Sequence, residues 1–161
     1  MESPLTIEKV TEAVELLDLN YWVSGDSTSV LVPFGSAKDH GGFDIIIEVE
    51  TSVLSTRIIP KDLEDLVAVD PVAPLAMCNV WNMSHRWPTA VFEPIPRPFV
   101  RGDVNQHFVF GPTLEQLAAS IELPLAIGST FVRFVSQFVC QGGLTLNEAD
   151  VVALLDIDDV A

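Results

Sequence analysis

Apolar positions along this chain recur first at helical spacing and then at strand spacing. Ile7, Val10, Ala13, Val14 and Leu17 make one stripe, with Glu8, Lys9, Glu12 and Glu15 opposite, which predicts a helix over residues 4–17. Either Ser3 (with Pro4 in the first turn) or Thr6 can cap it, and Asp18 and Asn20 end it. β-prone runs follow at 21–23, 29–34, 43–49 and 53–59, parted by Ser24-Gly25-Asp26-Ser27 and by a loop ending in Gly41-Gly42. Connections this short exclude parallel crossovers, so the expectation is an antiparallel meander. Glu48 and Arg57 are placed to face each other across its second hairpin.

The second half predicts a short turn of helix over 62–67 and a longer helix over 71–83. Apolar Val72, Leu75, Ala76 and Val80 lead there into Asn79-Val80-Trp81-Asn82. Pro88 stops the helix before a strand at 89–94, and alternate prolines make 94–98 a loop or sheet edge. Runs at 108–110 and 121–125 read as strands around a short helical or irregular insert at 113–120. Phe131, Phe134, Val135, Phe138 and Val139 form a broad stripe that predicts a helix over 130–141, ended by Gly142-Gly143. Thr145 to Glu148 is a capping box opening a last helix over 148–155, and 156–161 is an acidic, frayed end. The elements amount to an α+β fold, one domain over 1–161 with its core at about 4–142 and an acidic helix and tail at 143–161.

Composition narrows the function classes. An apolar fraction of 48% is ample for a packed core. The formal net charge of −15, from 23 acidic against 8 basic residues, argues against nucleic acid and against anionic membranes. It suits a solubility device, or a face for a basic partner. The first residues carry no basic run followed by an apolar stretch, and no window approaches eighteen uninterrupted apolar residues. A cytoplasmic protein without a membrane span is therefore expected. Cys78 and Cys140 lack a nearby partner and read as reduced thiols.

No reactive constellation stands out. His40, His85 and His107 have no metal spacing with one another or with a cysteine. A cation or small-molecule site would have to be assembled from Asp39, His40 and Asp44 with His85 or His107. Ser84-His85 has no oriented acid beside it, and neither glycine pair carries the Lys-Ser/Thr of a phosphate loop. Asn79 and Asn82 are polar groups placed where a core should be, three residues apart on one side of a helix. Their expected role is structural, as buried amides that fix a helix end against the sheet, with Trp81 and Trp87 flanking the junction. Phe131, Phe134 and Phe138 are core residues first, and an aromatic interface second.

The order helix, strand meander, helix ending in Asn-x-Trp-Asn, strand pair, helix resembles the YbjN-domain family of bacterial sensory transduction regulators. The resemblance rests on residues 10–17, Val30-Leu-Val-Pro-Phe34, Asn79-Val80-Trp81-Asn82, Pro88-Thr89-Ala90-Val91 and 121–128 before the last aromatic helix. It implies a fold like that of type III secretion chaperones, an antiparallel sheet with helices packed on it, usually dimeric. It also implies no enzymatic activity and no cofactor, but regulation or chaperone-like binding of other proteins. The insert at 113–120 and the tail after Gly143 depart from the minimal pattern. The second reading is a small-molecule or metal-binding sensor.

Overall fold

The computed structural model describes residues 4–35, 42–61, 72–93 and 99–140, with side chains 72–73 and 139–140 left aside. In chain order the elements are α1 (Ile7–Leu16), β1 (Trp22–Val23), β2 (Ser29–Phe34), β3 (Phe43–Glu50), β4 (Val53–Pro60), α2 (Val72–Ser84), β5 (Thr89–Glu93), β6 (Phe99–His107) and α3 (Leu114–Cys140). The six strands form one antiparallel sheet in the order β1-β2-β3-β4-β6-β5. The meander is as the short connections require. After it, α2 carries the chain beyond β4 to the far edge, and β6 returns into the gap between β4 and β5.

Strand register separates the two faces of the sheet. Val30 and Val32 lie opposite Ile47 and Ile45, Ile45 lies opposite Ile58, and Thr56 lies opposite Val104. All of these are buried, against α1 and α3 on one side. Leu31, Ile46, Arg57, Asp103 and Thr89 run across the other side, where no described helix packs. Thr6, rather than Ser3, caps α1, its Oγ1 accepting from the Lys9 N–H at 3.4 Å. The predicted short helix over 62–67, the proline segment 94–98 and the capping box and helix after 143 lie outside the described residues.

Two expectations fail in the last third. The strand expected at 108–110 ends before it, at His107, and the strand expected at 121–125 is helix. One 27-residue helix, α3, absorbs the 113–120 insert, 121–125 and the aromatic stripe together. Thr113 opens it with a capping box: its N–H donates to Gln116 Oε1 at 2.9 Å, and the Gln116 N–H donates to Thr113 Oγ1 at 3.2 Å. Buried Leu117, Ile121, Pro124, Gly128, Phe131, Val135 and Phe138 follow at alternating spacings of four and three. That is one uninterrupted helical stripe. Pro124 and Gly128 stand on it and disguise it as a break. A Cβ on Gly128 would sit 2.8 Å from the Phe43 ring, so glycine is what lets this turn of α3 reach the sheet. By length and composition alone Leu114–Phe138 could cross a membrane, whereas here half of its most apolar stretch is buried within the fold.

Candidate functional site

The Asn-x-Trp-Asn junction lies where the C-terminal end of α2 meets the edge strand β5. Trp81 is 1% exposed, with the Phe131 ring edge-on at 5.1 Å and the Phe134 ring tilted at 5.2 Å. Its indole Nε1 donates to the Pro88 carbonyl at 2.8 Å, so the polar handle of a buried tryptophan is satisfied. Pro88 in turn lies on Gly102 of β6, where a Cβ would meet the Pro88 ring at 2.6 Å.

Asn82 makes a two-point contact with the sheet edge. Its Nδ2 donates to the Ala90 carbonyl at 2.9 Å, and its Oδ1 accepts from the Ala90 N–H at 2.7 Å. The carboxamide thereby takes up the outward-facing donor and acceptor of one residue of β5, as a neighbouring strand would. Asn79 does not share this role. It is exposed, and among the described residues it makes no hydrogen bond to β5. The expectation of two buried amides is therefore corrected: both residues are largely exposed, and the roughly 60° between positions three apart on a helix turns only the Asn82 amide onto β5. Trp87 is 40% exposed, with the Arg86 guanidinium 5.5 Å over its ring, so it belongs to the surface. Phe131, Phe134 and Phe138 are core residues, as expected.

The groups considered for a cation or small-molecule site are not brought together. Asp39 and His40 lie outside the described residues. Asp44 is held at 2.8 Å by Lys61 and pairs with Ile59 of β4, while His107 pairs with Val53. Six residues of strand separate Val53 from Ile59, about 20 Å. His85 stacks on Trp81 with ring centroids 3.8 Å apart, its Nδ1 2.9 Å from Ser84 Oγ. Among the described residues no three His, Cys, Asp or Glu side chains are grouped to hold a metal ion.

The sequence allows for binding through a half-covered sheet and pairs Glu48 with Arg57, but it does not say which residues make the open face. Leu31, Ile46, Ile59, Val91 and Phe99 stand on it half-buried, and Trp22, opposite Leu31, is 59% exposed. Ion pairs lie among them: Arg57 with Glu48 at 2.9 Å, Lys61 with Asp44, and Arg101 with both Glu93 and Asp103. Desolvation works against the Arg101 cation, and its hydrogen bonds to Asp103 and Glu93 more than offset it, holding the pKa above the ordinary value. The strand alternation contained this second face, yet alternation alone does not say which face a helix will cover.

A family model described as YbjN, "Putative bacterial sensory transduction regulator", matches residues 6–150. No curated protein matches the sequence significantly. Among solved structures, the crystal structure of YbjN from E. coli, "a putative transcription regulator", is similar at a TM-score of 0.63 and 15% identity. The match covers 87% of this chain and 97% of that one. At this identity the likeness establishes the fold.

Proposed function

Because this chain belongs to the YbjN family, whose description is that of a sensory transduction regulator rather than an enzyme, we propose that it works by binding other proteins, as a cytoplasmic regulator or chaperone-like adaptor. The observation that carries this reading is the open face of the sheet. Half-buried Leu31, Ile46, Ile59, Val91 and Phe99 lie there among ion pairs, with no described helix upon them. Six strands of two to nine residues, spaced at about 4.8 Å, offer roughly 600 Å² of flat surface, close to the area one partner contributes to a standard interface.

Both edges of the sheet are poor places for an added strand, which leaves the face. On the β5 side Asn82 occupies Ala90. On the β2 side, the Ser24 N–H donates to the Ser29 carbonyl at 2.9 Å, so alternation turns the backbone of Leu31 and then Pro33 toward that edge. Proline has no N–H to offer a further strand. A role in transcription, as named for the E. coli protein, would here run through protein contacts, since a net charge of −15 opposes phosphate binding.

The test is crosslinking of the wild type and an Ile46→Glu variant in lysate, with mass spectrometry of what is captured. Partners recovered by the wild type and lost from a folded Ile46→Glu protein support the reading. Identical recovery by both proteins, or no partner for either, overturns it.

A further inference from the structure

Between β6 and α3 the chain turns through Phe108-Val109-Phe110-Gly111-Pro112, and consecutive apolar side chains there stand in water. Val109 is 83% exposed and Phe110 is 79% exposed. The turn is fixed at both ends. The Phe108 N–H donates to the Ser52 carbonyl at 2.8 Å, and the Phe108 side chain packs against the core. Pro112 is buried, its carbonyl accepts from Lys9 Nζ at 3.1 Å, and the Thr113–Gln116 capping box follows directly. Val109 and Phe110 are thus displayed between anchored neighbours, where they add nothing to the core.

Carboxylates border the turn. Glu115 lies in the first turn of α3, and Glu8 precedes Lys9 on α1. Glu50 closes β3 opposite Val53, which is itself opposite His107 at the end of β6. All three glutamates are exposed. Hydrogen bonds from their own backbone N–H, and from the hydroxyls of Thr6 and Thr113, hold the Glu8 and Glu115 carboxyls below their ordinary values. Lys9, the cation beside them, is held on the Pro112 carbonyl.

We propose that Val109 and Phe110 form a docking tip that enters an apolar pocket, rimmed by Lys or Arg, on a protein partner. An aromatic anchor within a polar rim is the arrangement of an interface hot spot. Because the turn is already anchored, docking it costs little conformational freedom. Charge selects the occupant. Cations around the pocket would meet Glu8, Glu50 and Glu115, whereas an acidic rim would repel them. Anionic headgroups, or a second copy of this chain at net charge −15, would likewise set like charges against the tip. Salt therefore weakens the docking. The tip is distinct from the open sheet face: Ile46 lies opposite Arg57, four residues of strand and about 13 Å from Val53.

The first test uses a chemical pocket of the proposed kind. β-Cyclodextrin, whose apolar cavity admits a phenyl ring, is titrated with an ammonium-substituted, an unmodified or a carboxylate-substituted rim. The full chain is compared with Phe110→Ser, Glu8→Gln/Glu115→Gln and Ile46→Glu, reading the Val109 and Phe110 side chains by NMR. Near-UV circular dichroism of the buried Trp81 confirms that each variant is folded. The ammonium host should bind the wild type and Ile46→Glu at least about tenfold more tightly than the unmodified host at low salt, a difference of about 1.4 kcal/mol. That advantage should shrink with salt and in the double glutamine variant, and binding should vanish in Phe110→Ser. An ammonium host no better than the carboxylate host, or binding that survives Phe110→Ser, overturns the proposal. So does Phe110-dependent sedimentation with phosphatidylcholine vesicles, which would make a bilayer the occupant, or a Phe110-dependent dimer. In lysate, photocrosslinks from Phe110→benzoylphenylalanine should map to apolar sites flanked by Lys or Arg. Crosslinks in acidic surroundings, or none, refute the partner's chemistry. Ile46→Glu leaves this tip intact, so the tip and the sheet face can fail separately.

Discussion

The side-chain amide of Gln106 donates to the Ser120 carbonyl at 2.9 Å, and that carbonyl is the one Pro124 leaves without a helical partner. Four residues after Ser120 a helix needs an N–H, and proline has none. Gln106 supplies the missing donor from β6, so the interior proline of α3 becomes a tie between helix and sheet.

Removing that donor should cost stability. Gln106→Ala is expected to lower the unfolding free energy by about 1–3 kcal/mol, the cost of a buried carbonyl left unpaired. Adding Pro124→Ala restores an N–H at that turn, so the double variant should recover part of the loss. Urea denaturation of the four proteins in this cycle measures the coupling. A neutral Gln106→Ala would show that water serves the carbonyl equally well.

The two asparagines should behave differently. Asn82→Ala strips Ala90 of both its edge partners and should cost about 1–3 kcal/mol. Asn79→Ala, at an exposed position of α2, should change stability by less than about 0.5 kcal/mol. Trp81→Ala, which empties the space between Phe131 and Phe134, should cost more than either, about 3–5 kcal/mol. Equal effects for the two asparagines in thermal or chemical unfolding would refute the assignment.

Thr56 is fully buried on the helix-facing side of β4, and among the described residues its Oγ1 has no hydrogen-bond partner. Burial of an unpaired hydroxyl works against folding, and valine has nearly the same shape without that cost. Thr56→Val should raise stability by about 1 kcal/mol, seen as a higher denaturation midpoint with an unchanged slope.

Burial pushes the Cys78 thiol up to about 11 from its ordinary 9.0. The folded state therefore keeps the proton at pH values where the unfolded chain has lost it. Below pH 9 the residue makes no pH-dependent difference. Between pH 9 and 11 the unfolded state is favoured progressively by ionisation, so stability falls as pH rises. Denaturation midpoints at pH 8 and pH 10 should drop further for the wild type than for Cys78→Ala. At pH 8 a thiol reagent should reach Cys78 only after denaturant is added.

The first two-thirds of the architecture could be read in the chain because its signals are local. Ile7 to Leu17 repeats at helical spacing, and the runs around Val30, Ile45 and Leu54 alternate between short turns. The failure at 121–125 is equally physical. Ile121-Glu-Leu-Pro-Leu has the composition of a strand and a proline that disfavours helix, yet it is helical because Gln106 and the Phe43 ring, distant in sequence, accommodate Pro124 and Gly128. The candidate site divides the same way. Trp81 and Asn82 were marked by residue type, whereas the exposure of Asn79 and of the second sheet face depends on which surfaces the helices cover.

Taken alone, the sequence determined the α+β class, the antiparallel meander, the acidic character and the tryptophan corner, since each follows from periodicity, composition or short-range chemistry. Tertiary structure decided the position of β6 between β4 and β5, the continuity of α3 through its proline, and which apolar rows meet water. Those outcomes depend on partners many residues apart, and a one-dimensional pattern of polar and apolar positions does not specify which of its own surfaces will meet.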